Sequence, residues 1–201
     1  MLYGWAGKIL EVDLTSRAVT VRDSTPYIKE WIGGRSLASR LAWEQIPPGV
    51  DAYDPENRII IATGPLGGTL SPTGGRTVMS GISPRVYPKP WYTHSTLGGW
   101  LGPAMKYAGY DAIVIHGQAE RPVLIEVRDD EINIRDADKL WGLDAHNTQV
   151  ELRNRLGSRA QCLAIGPAGE HLVRFSTVQH SEENAAGHSG FGAVWGSKRL
   201  K

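Results

Sequence analysis

Two tetrapeptides of one shape, Gly64-Pro65-Leu66-Gly67 and Gly166-Pro167-Ala168-Gly169, each close a series of elements that occurs twice in the chain. In the first series, "GKILEVDLTSRAVTVRD" alternates apolar and polar residues around Thr15-Ser16-Arg17 and reads as a β-hairpin. "STPYIKEWIGGRSLASRLAWEQIPPG" follows as helix, with Thr25 as cap, Pro26 in the first helical position and Gly33-Gly34 breaking it in two. "RIIIAT" is then a buried strand. In the second series, "RPVLIEVRDDEINIRDA" is a hairpin turning at Asp129-Asp130-Glu131. "GLDAHNTQVELRNRLGS" is a helix capped by Asp144, with Ala145, Thr148, Leu152 and Leu156 on one face and Gly157 at its end. The apolar "AQCLAIG" is the matching strand. The pattern predicts an α+β fold made of duplicated hairpin-helix-strand units, about residues 4–85 and 110–201. These form two packed mixed β-sheets with few short helices, within one domain spanning 1–201. Hairpin-helix-strand is a common order, so a chance recurrence stands as the alternative.

Between the units, "YPKPW" reads as extended loop, "STLGGWLGPAMKYAG" as a short helix with glycines at its N-terminal end, and "DAIVIHG" as a buried strand. The first tetrapeptide opens "GPLGGTLSPTGGRT", where bare backbone is followed by a single cation, Arg76. Glycine clusters of this kind let backbone N–H groups approach a phosphate or a flat polar ring, and they equally serve to turn a corner. An arginine at the end of such a loop reaches a planar or anionic group, or closes the turn at the surface.

Composition excludes several functions. Of 201 residues, 41% are hydrophobic and 21% charged, with a net charge of +1, which gives no electrostatic case for nucleic acid or an anionic membrane. The apolar runs are too short to span a bilayer, and the N-terminus lacks the apolar core of a signal peptide, so a cytoplasmic protein is expected. The one cysteine, Cys162, reads as a small buried hydrophobe and holds neither an internal disulfide nor an iron–sulfur cluster of four thiolates. No GxSxG, HExxH, CxxC or P-loop motif occurs, and the histidines at 94, 116, 146, 171, 180 and 188 lack metal-ligand spacing. His116 reads as a strand residue; His94, His180 and His188 read as loop residues beside the glycine clusters.

The segments "GWAGKILEVDLTS", "DPENRIIIATGPLGGTLSPTGGR", "GGWLGPAMKYAGYDAIVIHGQAERPV", "IRDADKLWG", "AIGPAGEHLV" and "AAGHSGFGAVWGSKRLK" together resemble the N-terminal domain of aldehyde ferredoxin oxidoreductase. The resemblance runs from about Gly4 to Lys201. It implies a tungsten, or sometimes molybdenum, enzyme that oxidises aldehydes to carboxylic acids and sends electrons through a [4Fe–4S] cluster to ferredoxin. The metal lies between two pyranopterin dithiolenes whose phosphates meet at a magnesium ion. Carried over by position, Arg76 lies between a pterin and the cluster. Thr96 and Ala185 supply the backbone carbonyls for magnesium. Gly74 and Gly75 line one side of the pterin path, and Gly98, Gly99 and Gly187 the other.

The departures concern charge and length. The family's "RAAGRGG" is "NAAGHSG" here, so Asn184 and His188 stand in place of two arginines near the phosphates, with Glu182-Glu183 just ahead. Losing a charged hydrogen bond weakens binding by roughly 1.5–3 kcal/mol. The later family domains, which carry the cluster cysteines and the substrate pocket, have no counterpart in these residues. The expectation is a cofactor-binding domain or subunit that is not competent alone. It would meet the cluster and substrate domains in cis or on a partner chain, docking through tryptophans such as Trp91, Trp100 and Trp195. Homo-oligomerisation is left open. The alternatives are a non-catalytic scaffold or assembly relative that has lost the cofactor, and a stand-alone binder of a small phosphorylated ligand.

Overall fold

The computed structural model describes residues 3–86 and 88–201. It is a mixed α+β fold. The two hairpin arms β1 (Lys8–Asp13) and β2 (Ala18–Asp23) turn at Thr15–Arg17, where Arg17 takes φ 56°. A single turn of 3₁₀ helix, Thr25–Tyr27, precedes α1 (Arg35–Gln45) and β3 (Ile59–Thr63). Then come β4 (Thr77–Ser83), β5 (Trp91–Leu97), α2 (Leu101–Tyr107) and β6 (Ala112–His116). The second half has β7 (Val123–Arg128), β8 (Glu131–Asp136), α3 (Ala145–Leu156), α4 (Pro167–Glu170), β9 (Val178–His180), β10 (Asn184–Ala186) and α5 (Phe191–Ser197).

Six strands form the main sheet in the order β2–β1–β6–β3–β4–β5, parallel only between β1 and β6. The other strands form two-stranded ribbons, β7–β8 and β9–β10. Two short stretches join the ribbons. Leu200 bridges Val123 in parallel, the Ile165 N–H donates to the Lys201 carbonyl, and Ala164 exchanges hydrogen bonds with Gln179. The second layer thus runs β8–β7–(199–201)–(164–165)–β9–β10 and, like the main sheet, has an antiparallel hairpin followed by a parallel neighbour at one end and antiparallel neighbours at the other. The helices correspond too. The Tyr110 N–H donates to the Met105 carbonyl past the end of α2, and the Leu200 N–H to the Trp195 carbonyl past α5. Each tetrapeptide is a closed turn, with Gly67 N–H on the Gly64 carbonyl and Gly169 N–H on the Gly166 carbonyl.

The core lies between the layers. Leu10, Val12, Ile59, Ile61 and Met79 of the main sheet meet Phe191, Val194 and Trp195 of α5. A second core, with Ile9, Ile60, Ala62 and Val114, is covered by Leu37, Ala38 and Leu41 of α1. Helix α5 seats against the second tetrapeptide because it carries glycine there. A Cβ on Gly196 would stand 2.0 Å from the Gly169 carbonyl oxygen, closer than any side chain allows.

Two buried ion pairs lock the layers. Asp111, fully buried, accepts from Lys106 Nζ, the Ala6 and Gly7 N–H groups (2.9 Å each) and Ser24 Oγ. Lys201 Nζ meets Glu170 Oε1 at 2.5 Å and the Leu143 carbonyl at 2.6 Å. Between them Lys198 Nζ donates to the carbonyls of Asp54, Pro55 and Gly117 at 3.1–3.3 Å. Burial, with the Arg58 charge nearby, pushes the Lys198 ammonium down to about 7.

Some local expectations are corrected. Residues 25–32 hold only the 3₁₀ turn, capped at Ser24 and not Thr25, since Gly33 and Gly34 turn the chain at φ 96° and 54° before α1 begins. Ser95–Leu97 end β5 and are not helical, so α2 starts at Leu101. The "AQCLAIG" segment is not a continuous strand and joins the layer only through the Ala164 bridge and the Ile165 N–H, and Asp144 caps α3 as expected, accepting from Asn147 N–H at 2.7 Å. Trp91 and Trp100 are exposed, but Trp195 is buried in the core and offers no docking surface. The "YPKPW" loop begins at Tyr87, outside the described residues. Among the described residues, no helix is long and apolar enough to cross a membrane.

Asp111→Ala, leaving the Lys106 charge buried and unpaired, is expected to cost about 3–5 kcal/mol in urea unfolding. Glu151→Ala, which breaks the exposed Arg155 pair, should cost under about 1 kcal/mol. The Lys198 shift has a pH signature. With the folded value near 7 and the unfolded value near 10.5, the unfolded chain binds the extra proton between them, so stability rises with pH across that window. The difference in stability between wild type and Lys198→Met should therefore move in favour of wild type from about pH 7 to pH 10 in unfolding curves at each pH.

Candidate functional site

The β4–β5 hairpin pairs Thr77 with Leu97, which brings Arg76 and Gly98 to the same end of the sheet. Arg76 Nη1 lies 3.5 Å from Thr96 Oγ1. From the second layer, β10 packs against β5 and delivers Asn184 and Ala185 to this end. The segment after β10 is stitched to β5 by hydrogen bonds. His188 N–H donates to Ser95 Oγ at 3.1 Å, His188 Nδ1 lies 2.6 Å from Ser189 Oγ, and Ser189 Oγ donates to the His94 carbonyl at 3.2 Å. These contacts outline an open cavity of about 390 Å³, lined by Arg35, Thr93, His94, Ser95, Thr96, Gly187 and His188.

Among the described residues, no carboxylate lines this cavity. Glu182, which the sequence sets close to it, points to α3 instead and pairs with His146 at 3.3 Å. Burial, then the charges of Arg35 and His188, hold the His94 imidazole below the usual histidine range. The site therefore presents the Arg35 cation, two imidazoles, hydroxyls and the bare backbone of Gly187, where a Cβ would meet nothing within 4 Å. Such a set takes an anion that needs both charge and hydrogen-bond donors. Among the described residues no cluster of three or more His, Cys, Asp or Glu could hold a metal ion, so any cation here would rest on backbone oxygens or on a ligand.

The glycines divide into two kinds. A Cβ on Gly98 would stand 2.7 Å from Asn184 Oδ1, and one on Gly99 2.7 Å from the His180 ring, so the chain's own side chains fill the space beside these two. A Cβ on Gly74 would stand 2.7 Å from the Leu66 carbonyl oxygen, whereas Gly75 and Gly187 leave room for a neighbour. His180 is buried, with Nδ1 2.9 Å from the Cys162 carbonyl, and burial lowers its pKa; it supports Gly99 and does not face the cavity. His94, read as a loop residue, is in β5.

Arg35 was missed. It opens α1 directly after Gly33-Gly34, as Arg76 follows Gly74-Gly75, and this second Gly-Gly-Arg triplet is the signal that would have found it. The fold brings the two glycine-flanked arginines to one end of the sheet because the Gly34 N–H is bonded to the Thr63 carbonyl at the end of β3.

Comparison with known proteins decides the family. Residues 9–201 match the model of the aldehyde ferredoxin oxidoreductase N-terminal domain. The chain belongs to the aldehyde ferredoxin oxidoreductase family. It is 42% identical over its whole length to the tungsten-containing aldehyde ferredoxin oxidoreductases of Pyrococcus furiosus and Thermococcus kodakarensis, covering 33% of each. It is 35% identical to the WOR-like subunit of an aliphatic sulfonate oxidoreductase of Pyrococcus furiosus, covering 34% of it. The solved active-site complex BamBC of benzoyl coenzyme A reductase, with 1,5-dienoyl-CoA, superposes with a TM-score of 0.95 at 35% identity, over 100% of this chain and 30% of that one. The family domain described here thus spans about a third of the length of the curated relatives it matches.

The electrostatic reading is open to titration. Arg35→Ala removes one of the charges that lower His94, so the His94 pKa should rise in an NMR pH titration, while that of His180, which Arg35 does not influence, should stay in place.

Proposed function

We propose that this chain is the pterin-cofactor-binding domain of an oxidoreductase that converts aldehydes to carboxylic acids and passes electrons to ferredoxin. The observation that carries it is the cavity of Arg35, His94, Ser95, Thr96 and His188 beside bare Gly187, which has cationic and hydroxyl groups and no carboxylate. Those residues fit the phosphate end of a bis-pyranopterin. Arg76 and Gly75 lie at the same end of β4, placed to meet the flat ring of a pterin. When bound, the tungsten or molybdenum centre supplies the two-electron chemistry. The chain's residues hold its anionic groups, with Arg35 supplying positive charge and the histidines hydrogen bonds where Asn184 and His188 replace family arginines. The carbonyls of Thr96 and Ala185 are our candidates for magnesium, on β5 and β10, which pack together. The [4Fe–4S] cluster and the substrate pocket belong to other domains or a partner chain, so the domain is not competent alone. The exposed Trp91 and Trp100 are candidates for that junction. We also read the matching order of the two layers as an internal duplication, its units shifted from the expected 4–85 and 110–201 because β5 and β6 belong to the first layer, with cytoplasmic location.

One observation favours a second reading. Asn184 and His180 fill the space beside Gly98 and Gly99, as in a scaffold relative that keeps the fold without the cofactor.

Expression in a host that makes the bis-pterin cofactor, with the cluster-bearing region present, separates the two. About one tungsten or molybdenum per chain by mass spectrometry supports binding, and metal-free protein supports the scaffold. Arg76→Ala and Arg35→Ala should each reduce retained metal about tenfold or more, the loss of one charged hydrogen bond.

A further inference from the structure

A second cavity, about 370 Å³, lies between the two layers and shares no residue with the cofactor cradle. Its walls come from both: Met105 of α2, Ile113 of β6, Ile125 of β7, Leu152 of α3 and Trp195 of α5. The volume is at the lower end of the range that holds small organic ligands. Hydrocarbon walls of this extent favour an apolar occupant.

One charge in the lining narrows the chemistry. Exposed Arg159 lines the same cavity, and its guanidinium has no hydrogen bond or ion pair among the described residues. The carboxylate in the lining, Glu126, is already taken by Arg135 at 2.5 Å and lies 3.7 Å from Arg128. The other cations of the lining, Arg128 and Lys201, are paired with Glu126 and Glu170, so Arg159 is the lining cation left without a partner among the described residues.

We propose that this interlayer cavity binds a medium-chain organic carboxylate, with its chain between the layers and its carboxylate toward Arg159. Cys162, the one cysteine of the chain, also lines the cavity and reports on its occupancy.

The test is titration calorimetry of the full 201-residue chain with decanoate and with decanol. Decanoate should bind saturably at one per chain and slow the alkylation of Cys162 by a neutral maleimide. Arg159→Gln should weaken decanoate about tenfold and leave decanol unchanged, as expected for one charged hydrogen bond. Ala160→Trp, which fills the cavity, should remove both ligands and leave the circular dichroism spectrum unchanged. If that variant does not fold, Ala108→Phe fills the same space from the helix side. Absence of saturable binding overturns the proposal, as does decanoate binding that survives the filling variant. An equal effect of Arg159→Gln on acid and alcohol overturns the carboxylate assignment. Metal content plays no part in these readouts, so they stand or fall separately from the cofactor reading.

Discussion

The carboxylate of Asp111 has no access to water, and four donors converge on it: two N–H groups at the start of β1, the hydroxyl of Ser24 before the 3₁₀ turn, and Lys106 from the last turn of α2. A buried carboxylate short of partners is unstable by several kcal/mol, so these groups must arrive together or not at all. Asp111 directly precedes β6, the strand between β1 and β3. Its partners therefore set where β1 pairs, where α2 ends and how the main sheet is registered. Everything beyond β3, including the β4–β5 hairpin that carries Arg76 and Thr96, is placed from that reference.

In the second layer the roles of the charges are exchanged. Lys201, the residue after the one that bridges Val123, is the buried cation, and Glu170 after the second tetrapeptide is its partner. Lys198 adds a buried ammonium held by three carbonyls from loops of the first half. The basic segment "GSKRLK" is thus structural: its lysines stitch the end of this domain to both layers. The proposed cofactor cradle sits at the seam. Its floor is β5 of the first layer, its wall is the 187–189 segment of the second, and hydrogen bonds through Ser95 and Ser189 join them. Holding the layers in register is what makes the site.

Much of the fold was legible in the sequence. The hairpins, β3, β6 and α3 with its Asp144 cap follow from alternation, apolar runs and capping, all of which are local. The errors occurred where a long-range contact overrode local pattern. The segment after Thr25 has helix signals, yet Gly33 and Gly34 bend it so that Gly34 reaches the end of β3. Ser95–Leu97 look like the approach to a helix, but their partners Thr77–Met79 extend them as strand. The candidate site residues rest chiefly on resemblance to a family, since glycine clusters alone do not say which space they leave. At Gly98 and Gly99 that space is filled by Asn184 of β10 and His180 of β9, far along the chain, and no local pattern reveals it.

The sequence by itself determined the family, the order of elements and the presence of glycine-flanked arginines, because these depend on residue type and spacing along the chain. Only the tertiary structure decided that Arg35 joins His94 and His188, that Glu182 turns away, and that Trp195 is buried. Those outcomes depend on how two layers pack across a seam. The packing is set by buried charges and close glycine contacts between segments far apart in the chain.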